Sequence, residues 1–275
     1  MATIILGKQE AQVRIYPDPA ELALKAARGF ARLADQYVVG SGRFSVALSG
    51  GSTPKAMFSL LAADPFRDTV PWGSIFFFWG DERCVPPDHQ DSNFKMATDS
   101  LLSKVPVPAA NIFRMRAELE DPNRAADEYT STLTEFFLSG SRKSGTAPLS
   151  NVPRFDLVML GMGPDGHTAS LFPGTAALNV TDRIVVANYV EKFKAHRITL
   201  TAPTINNARN VTFLAAGADK AETLKQVLEG PYQPDLYPSQ MIRPKNGTLL
   251  WMVDKAAAQL LSTDLISIDQ ERKDL

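Results

Sequence analysis

The sequence predicts an α/β fold with a mostly parallel sheet flanked by helices. Three observations lead there. Apolar runs of strand length alternate along the chain with segments of helical period. Those runs are apolar throughout, as in buried strands. Several run straight into glycine-rich or charged clusters, the place where open α/β sheets bind ligands.

The elements follow in order. FSVALSGG (Phe44 to Gly51) reads as a buried strand entering glycines, and TPKAMFSLLAA as a helix with Pro54 in its first turn and Ser52 or Thr53 as cap. SIFFFWGDE is a second buried strand ending in acids. DPNRAADEYTSTLTEFFL opens with Asp-Pro, a helix start, and places Tyr129, Leu133, Phe136 and Phe137 on one face. SGSRKSGTAPLSNVP, Ser139 to Pro153, is a loop or connector. FDLVMLGMG continues the same sheet. HRITLT, NVTFLAAG and TLLWMVD are further strands, with helical DKAETLKQVLEG and KAAAQLL between or after them.

Composition bounds the function. The 275 residues are 44% hydrophobic and 21% charged, an ordinary globular balance, expected to form a single domain over 1–275. A net charge of -1 gives no field for nucleic acid or for an anionic membrane surface, so an anionic ligand needs a local cluster of cations. The single cysteine, Cys84, permits no internal disulfide and fits a reducing compartment. With no signal-like N-terminal segment and no membrane-length apolar stretch, the expected location is the cytoplasm, and the expected state a monomer or weak homo-oligomer.

Four clusters fall at strand ends. SGGSTP combines glycines, two hydroxyls and a helix start, the makings of a phosphate site on Gly50, Gly51, Ser52 and Thr53. The alternative is a plain strand–helix turn. Asp81, Glu82 and Arg83 follow the second strand. Arg83 can meet an anion or an oxyanion, or the three can form a surface ion network. With three histidines, no H-E-x-x-H and no paired cysteines, no metal is expected. MLGMGPDGHTASLFPG carries Gly161, Gly163 and Gly166 in the G-x-G-x-x-G pattern. A dinucleotide there is disfavoured, because Asp165 points a carboxylate at the pyrophosphate position and Pro164 removes a donor. Asp165 and His167 can instead be an orienting acid and a base, or two caps, and spacing alone leaves both open. The fourth cluster, Gly217 to Lys220, contributes Lys220, and HRITLT contributes Arg197, each a lone cation on or after a strand.

Together, ALSGGSTPKAMFSLLA, FFFWGDERCVPPDHQDSN, FDLVMLGMGPDGHTASLFPG, HRITLT and AAGADKAETL resemble the 6-phosphogluconolactonase family over nearly the whole chain. The resemblance implies Rossmann-like layering and hydrolysis of 6-phosphogluconolactone in the oxidative pentose phosphate pathway, without metal or cofactor. It further implies His167 as base, Asp165 as its orienting acid and Arg83 or loop amides at the oxyanion. Gly50 to Thr53, Arg197 and Lys220 would hold the phosphate, with Asp81, Gly161, Gly163 and Gly166 shaping the site. The related glucosamine-6-phosphate isomerase-deaminases typically carry a glutamate where this chain has Phe172, and Asp-Glu-Tyr where it has Asp81-Glu82-Arg83. Both departures favour the lactonase over the deaminase. A non-catalytic sugar-phosphate-binding regulator would have no need of the Asp165–His167 pair.

Overall fold

A computed structural model describes residues 2–6, 9–139 and 152–262, so most of the expected 139–153 connector lies outside the described residues. Ten strands are present among them: β1 (Ala2–Leu6), β2 (Gln9–Tyr16), β3 (Phe44–Leu48), β4 (Ile75–Trp79), β5 (Asp81–Arg83), β6 (Leu157–Leu160), β7 (Val185–Val190), β8 (Ala195–Leu200), β9 (Asn210–Ala215) and β10 (Thr248–Asp254). The helices are α1 (Pro19–Ser41), α2 (Ser52–Leu61), α3 (Phe66–Thr69), α4 (Asn93–Ala97), α5 (Pro122–Ser139), α6 (Ala202–Asn206), α7 (Ala221–Glu229) and α8 (Lys255–Ala258). The expected α/β architecture is present. The main sheet has the order β1-β2-β10-β9-β6-β3-β4, parallel throughout except for β1, which pairs antiparallel with β2.

Burial on both faces explains why β3, β4 and β6 read as unbroken apolar runs. In β4 the alternation of side chains still divides the phenylalanines. Phe78 packs with Phe113 (ring centroids 4.8 Å apart), Phe136 and Phe155, beneath α5, whereas Phe77 stacks on Trp72, which in turn meets Phe30 of α1. The predicted face of α5 is inward, with Tyr129 and Leu133 buried.

Two parts of the fold depart from the sequence reading. The first 41 residues, singled out by no motif, supply β1, β2 and the longest helix. Helix α1 has conventional causes: Asp18 caps it by accepting from the Glu21 amide at 2.8 Å, Pro19 opens it, and Leu22, Ala23, Ala26, Ala27, Phe30 and Ala34 form its buried stripe. Secondly, the acids after β4 do not end that strand. At Gly80 the chain leaves the main sheet, and Asp81–Arg83 begin a separate antiparallel sheet, β5-β8-β7, which also takes HRITLT.

The order of strands positions the site. From β3 the chain passes to β4 on one side and later to β6 on the other, so the connections diverge above the carboxyl ends of β3 and β6. Such a switch point opens a crevice. Asp156, just before β6, ties these strands together. One carboxylate oxygen accepts from the Ser45 amide at 2.9 Å and hydroxyl at 2.8 Å, and the other faces Arg209 Nε at 3.3 Å. Among the described residues no helix is long and apolar enough to cross a membrane.

Asp156→Ala should lower the free energy of unfolding by about 2–4 kcal/mol, because buried donors lose a charged acceptor. Urea denaturation measures it, and an unchanged midpoint would show that the strand pair does not need this tie.

Candidate active site

A cavity of about 260 Å³ lies over that crevice. Gly50, Gly51, Ser52, Thr53, Asp81, Arg83, Gly161, Gly163, His167 and Lys220 line it, so all four strand-end clusters meet in one place. Asp165, Gly166 and Arg197 are not in its wall.

The SGGSTP turn differs in detail from expectation. Helix α2 begins at Ser52, and its cap is Gly51 at φ 106°, a conformation that favours glycine. No side chain caps this helix, so the Ser52 and Thr53 hydroxyls do not cap α2, and both residues line the cavity. Pro54 has no N–H, and the first intrahelical bond runs from Lys55 N to Gly51 O at 3.1 Å. The amides of Ser52 and Thr53 are therefore the helix's free donors, at its positive end. A side chain at Gly50 would overlap the carboxamide of Asn93, so protein rather than ligand makes the close approach there. Asn93 is buried in the cavity wall, and its Nδ2 donates to Asp81 O at 2.9 Å.

The expected cations are differently placed. Arg83 lines the cavity, held by a bond from Nη1 to the Asp91 carbonyl, with its Nε buried and unpartnered. Arg197 sits opposite it in the β5–β8 register, packed 5.1 Å over the Phe193 ring. Burial first, and the Arg83 charge next, lower the Arg197 pKa from its ordinary value. Lys220 is not a lone cation: Nζ pairs with Asp219 Oδ2 at 2.8 Å. Its residue still lines the cavity, in the short turn before α7. That turn starts at Gly217, whose amide donates to Asp254 Oδ1 at 3.0 Å.

The Asp165–His167 pair is formed. His167 Nδ1 makes a short hydrogen bond to Asp165 Oδ1, and Lys192 Nζ reaches Oδ2 at 3.1 Å. An ionised carboxylate only accepts, so Nδ1 carries the proton and the lone pair of the neutral ring lies on Nε2. Burial alone would raise the Asp165 pKa. The hydrogen bond and charge of His167, then Lys192, overcome this and hold it well below the usual carboxylate range. Gly163 is dictated by the pair, since a Cβ there would overlap the imidazole. The tight left-handed turn belongs to Gly166 at φ 77°, not to Gly161 or Gly163. Phe172 stacks on the imidazole with centroids 4.1 Å apart, and Phe193 meets Phe172 edge-on at 5.6 Å. The loop is tied down by Thr168 Oγ1 to Gly161 O at 2.8 Å, Thr223 Oγ1 to Pro164 O at 2.6 Å and Ser170 Oγ to Asp81 Oδ2 at 2.7 Å.

Sequence reasoning missed Asn93, Lys192 and Phe193. Asn93 is the last residue of FFFWGDERCVPPDHQDSN, and nothing local gives it a role. Lys192 and Phe193 occupy the β7–β8 turn, which nothing local marks as facing the Asp165 loop. Among the described residues no group of three or more His, Cys, Asp and Glu could hold a metal ion.

Strand-end loops of a parallel sheet, a helix N-terminus with free donors and a histidine paired with an acid meet at one cavity, as in an enzyme of the α/β class. The chain belongs to the family described as glucosamine-6-phosphate isomerases/6-phosphogluconolactonase, whose model matches residues 17–251. It is 43% identical over 251 residues to a 6-phosphogluconolactonase of Nostoc, covering 91% of this chain and 98% of that one. The likeness to a 6-phosphogluconolactonase of Synechocystis is 42% over 220 residues, 80% of this chain and 85% of the relative. Among solved structures, 6-phosphogluconolactonase from Trypanosoma brucei superposes with a TM-score of 0.76 at 29% identity, covering 93% of this chain and all of that one (100%). A monomeric glucosamine-6-phosphate deaminase, 20% identical with a TM-score of 0.72, shares the fold.

Two outcomes test this geometry. Burial, opposed by Arg197 and helped by Glu82, raises the Cys84 thiol to about 11. The native thiol should therefore react with a disulfide reagent at pH 8 about 100-fold more slowly than after unfolding. Equal rates would show an open, ordinary thiol. For Asp165 the folded pKa is depressed, so its stabilising contribution is complete above the unfolded value and is lost as pH falls through the folded one. The stability gap between wild type and Asp165→Asn should hold steady from neutral pH to about pH 5 and shrink only below about pH 4. A gap that closes near neutrality would contradict the pairing.

Proposed function

We propose that this enzyme hydrolyses 6-phospho-D-glucono-1,5-lactone to 6-phospho-D-gluconate, the second step of the oxidative pentose phosphate pathway. The observation that carries the reading is the Asp165–His167 pair at the cavity, Nδ1 engaged by the carboxylate and Nε2 left free to accept a proton. The names of the relatives support it, as does Phe172, which covers the imidazole where a deaminase would carry an acid.

The phosphate sits on the free amides and hydroxyls of Ser52 and Thr53, with Lys220 as counter-charge. Arg197 adds positive potential from behind Arg83 rather than a direct contact. His167 Nε2 takes a proton from water as the water oxygen bonds to the lactone carbonyl carbon. The oxyanion forms beside Arg83, whose guanidinium group belongs to a residue of the cavity wall. On collapse the bond from that carbon to the ring oxygen breaks, and the imidazolium protonates the leaving oxygen. Asp165, steadied by Lys192, keeps the ring oriented and stabilises its charged form. A lactone is an activated ester, so the mechanism needs no metal or cofactor. A reducing cytoplasm suits a chain with one thiol.

The decisive measurement generates the lactone in situ from glucose 6-phosphate and follows 6-phosphogluconate against spontaneous hydrolysis. Acceleration by catalytic amounts of the chain, with no ammonia released from glucosamine 6-phosphate, is expected. A rate equal to the spontaneous one would overturn the proposal. His167→Ala should lower kcat by about 10²- to 10⁴-fold with KM little changed. Lys220→Ala should raise KM about 10-fold and leave kcat near wild type. Wild-type turnover in the first, or an unchanged KM in the second, would remove that residue from its role.

A further inference from the structure

A second, larger concavity of about 870 Å³ runs between α1, the end of β2 and the start of α8. It shares no lining residue with the catalytic cavity. Its volume falls within the range of small-molecule sites, roughly 300–1,000 Å³.

Its charge is one-sided. Arg14, Lys25, Arg28, Arg32 and Lys255 line it, against two acids, Asp18 and Glu21. Both acids are already engaged: Asp18 caps α1, and Glu21 pairs with Lys25 at 3.4 Å. Arg14, Arg28, Arg32 and Lys255 make no ion pair among the described residues. Four cations without an ion pair among the described residues thus face one groove in a chain whose net charge is -1. The Nε of Arg14 is also buried without a hydrogen-bond partner.

The helix is suboptimal on this side. Arg28 and Arg32 are like charges at i, i+4, a spacing that disfavours the helix. Between them Gly29 interrupts the helix interior, where glycine costs about 1 kcal/mol relative to alanine. Packing does not require it, for a Cβ at Gly29 would meet nothing within 4 Å. A glycine opening onto empty space within a ring of cations leaves room for something to come close to the helix backbone. Behind it a recess of about 60 Å³ continues inward, lined by apolar side chains including Phe30, Met57, Leu250 and Met252.

We propose that this groove binds an organic polyphosphate, the chemistry of a nucleoside triphosphate. The phosphates lie along Arg28, Arg32, Lys255 and Arg14, and the organic body rests on Gly29, Ile15 and Ala258. Four cations without counter-charge match a polyanion better than a single phosphate. The apolar floor selects an organic ligand over a bare inorganic one.

Calorimetric titration of the full chain with adenosine triphosphate, and separately with inorganic tripolyphosphate, tests the assignment. Saturable 1:1 binding of the nucleotide, several-fold tighter than tripolyphosphate, is expected. The double variant R28E/R32E should weaken it by about 10-fold or more. Gly29→Leu fills the groove without altering charge and improves helix propensity, so it should fold and show a similar loss. Lactone hydrolysis should stay within about two-fold of wild type in both variants. Several results would overturn the assignment: no saturable binding at millimolar ligand, equal affinity for tripolyphosphate, or binding that survives both variants. Binding lost in Lys220→Ala instead would place the nucleotide in the catalytic cavity and equally refute the groove.

Discussion

The site depends on one buried carboxylate, Glu82. It is 2% exposed and makes no ion pair within 4.0 Å among the described residues, yet each oxygen accepts twice. Oε1 takes the amides of Arg83 and Asn93, both at 2.8 Å; Oε2 takes the Phe94 amide at 2.8 Å and the Ser92 hydroxyl at 3.1 Å. Burial raises its pKa, and the three amides pull the other way. This one group turns the chain out of the main sheet, starts β5 and folds residues 84–92 back so that α4 begins against it. Arg83 and Asn93 are direct neighbours of the knot, and Asp81 lies one residue before it. From Asp81 the network continues to Ser170, and through Ser170 to the loop that carries His167. Of the three consecutive charges, Glu82 anchors, Asp81 relays and Arg83 lines the cavity.

What was legible follows from where burial is complete. Strands β3, β4 and β6 are covered on both faces and announce themselves as apolar runs, and their carboxyl ends locate the clusters. Strand β5 is three charged residues with no strand signature; only its pairing with β8 makes it one. Strand β2 mixes Glu10, Gln12 and Arg14 with apolar residues, and its place beside β10 is a tertiary fact. The Asp165–His167 pair was readable as a possibility, because the two residues are two apart. Which nitrogen is free was not, since that depends on how the loop folds over Gly163. Lys192 and Phe193 come from a turn 25 residues or more downstream, beyond the reach of local pattern.

The glycines show the same division. G-x-G-x-x-G suggests backbone approaching a nucleotide, yet Gly163 makes room for the imidazole and Gly50 for Asn93. Only Gly51 serves a turn that leaves helix donors exposed to the cavity. Close approach at Gly163 and Gly50 is of protein to protein, packing Asn93 and the His167 imidazole tightly. Preorganisation of that kind suits the proposed lactone hydrolysis, whose substrate is already reactive, so that holding a base and a water in line contributes more than electronic activation.

Arg83 and Arg197 sharpen the point. Like charges directly opposite in an antiparallel pair disfavour the sheet. Here one guanidinium is partly buried with its pKa lowered, and the other keeps a buried Nε without a partner. Asp81 and Glu82 offset some of this charge, but Glu82 is occupied by amides and Asp81 by Ser170. In formal charge the two acids and two arginines of the β5–β8 pair balance, but the guanidiniums still lie side by side, with Arg83 in the cavity wall. A fold selected for stability alone would place an acid opposite Arg83. Keeping a second arginine there suits negative charge arriving at the cavity from outside, as the proposed phosphate and oxyanion would bring it.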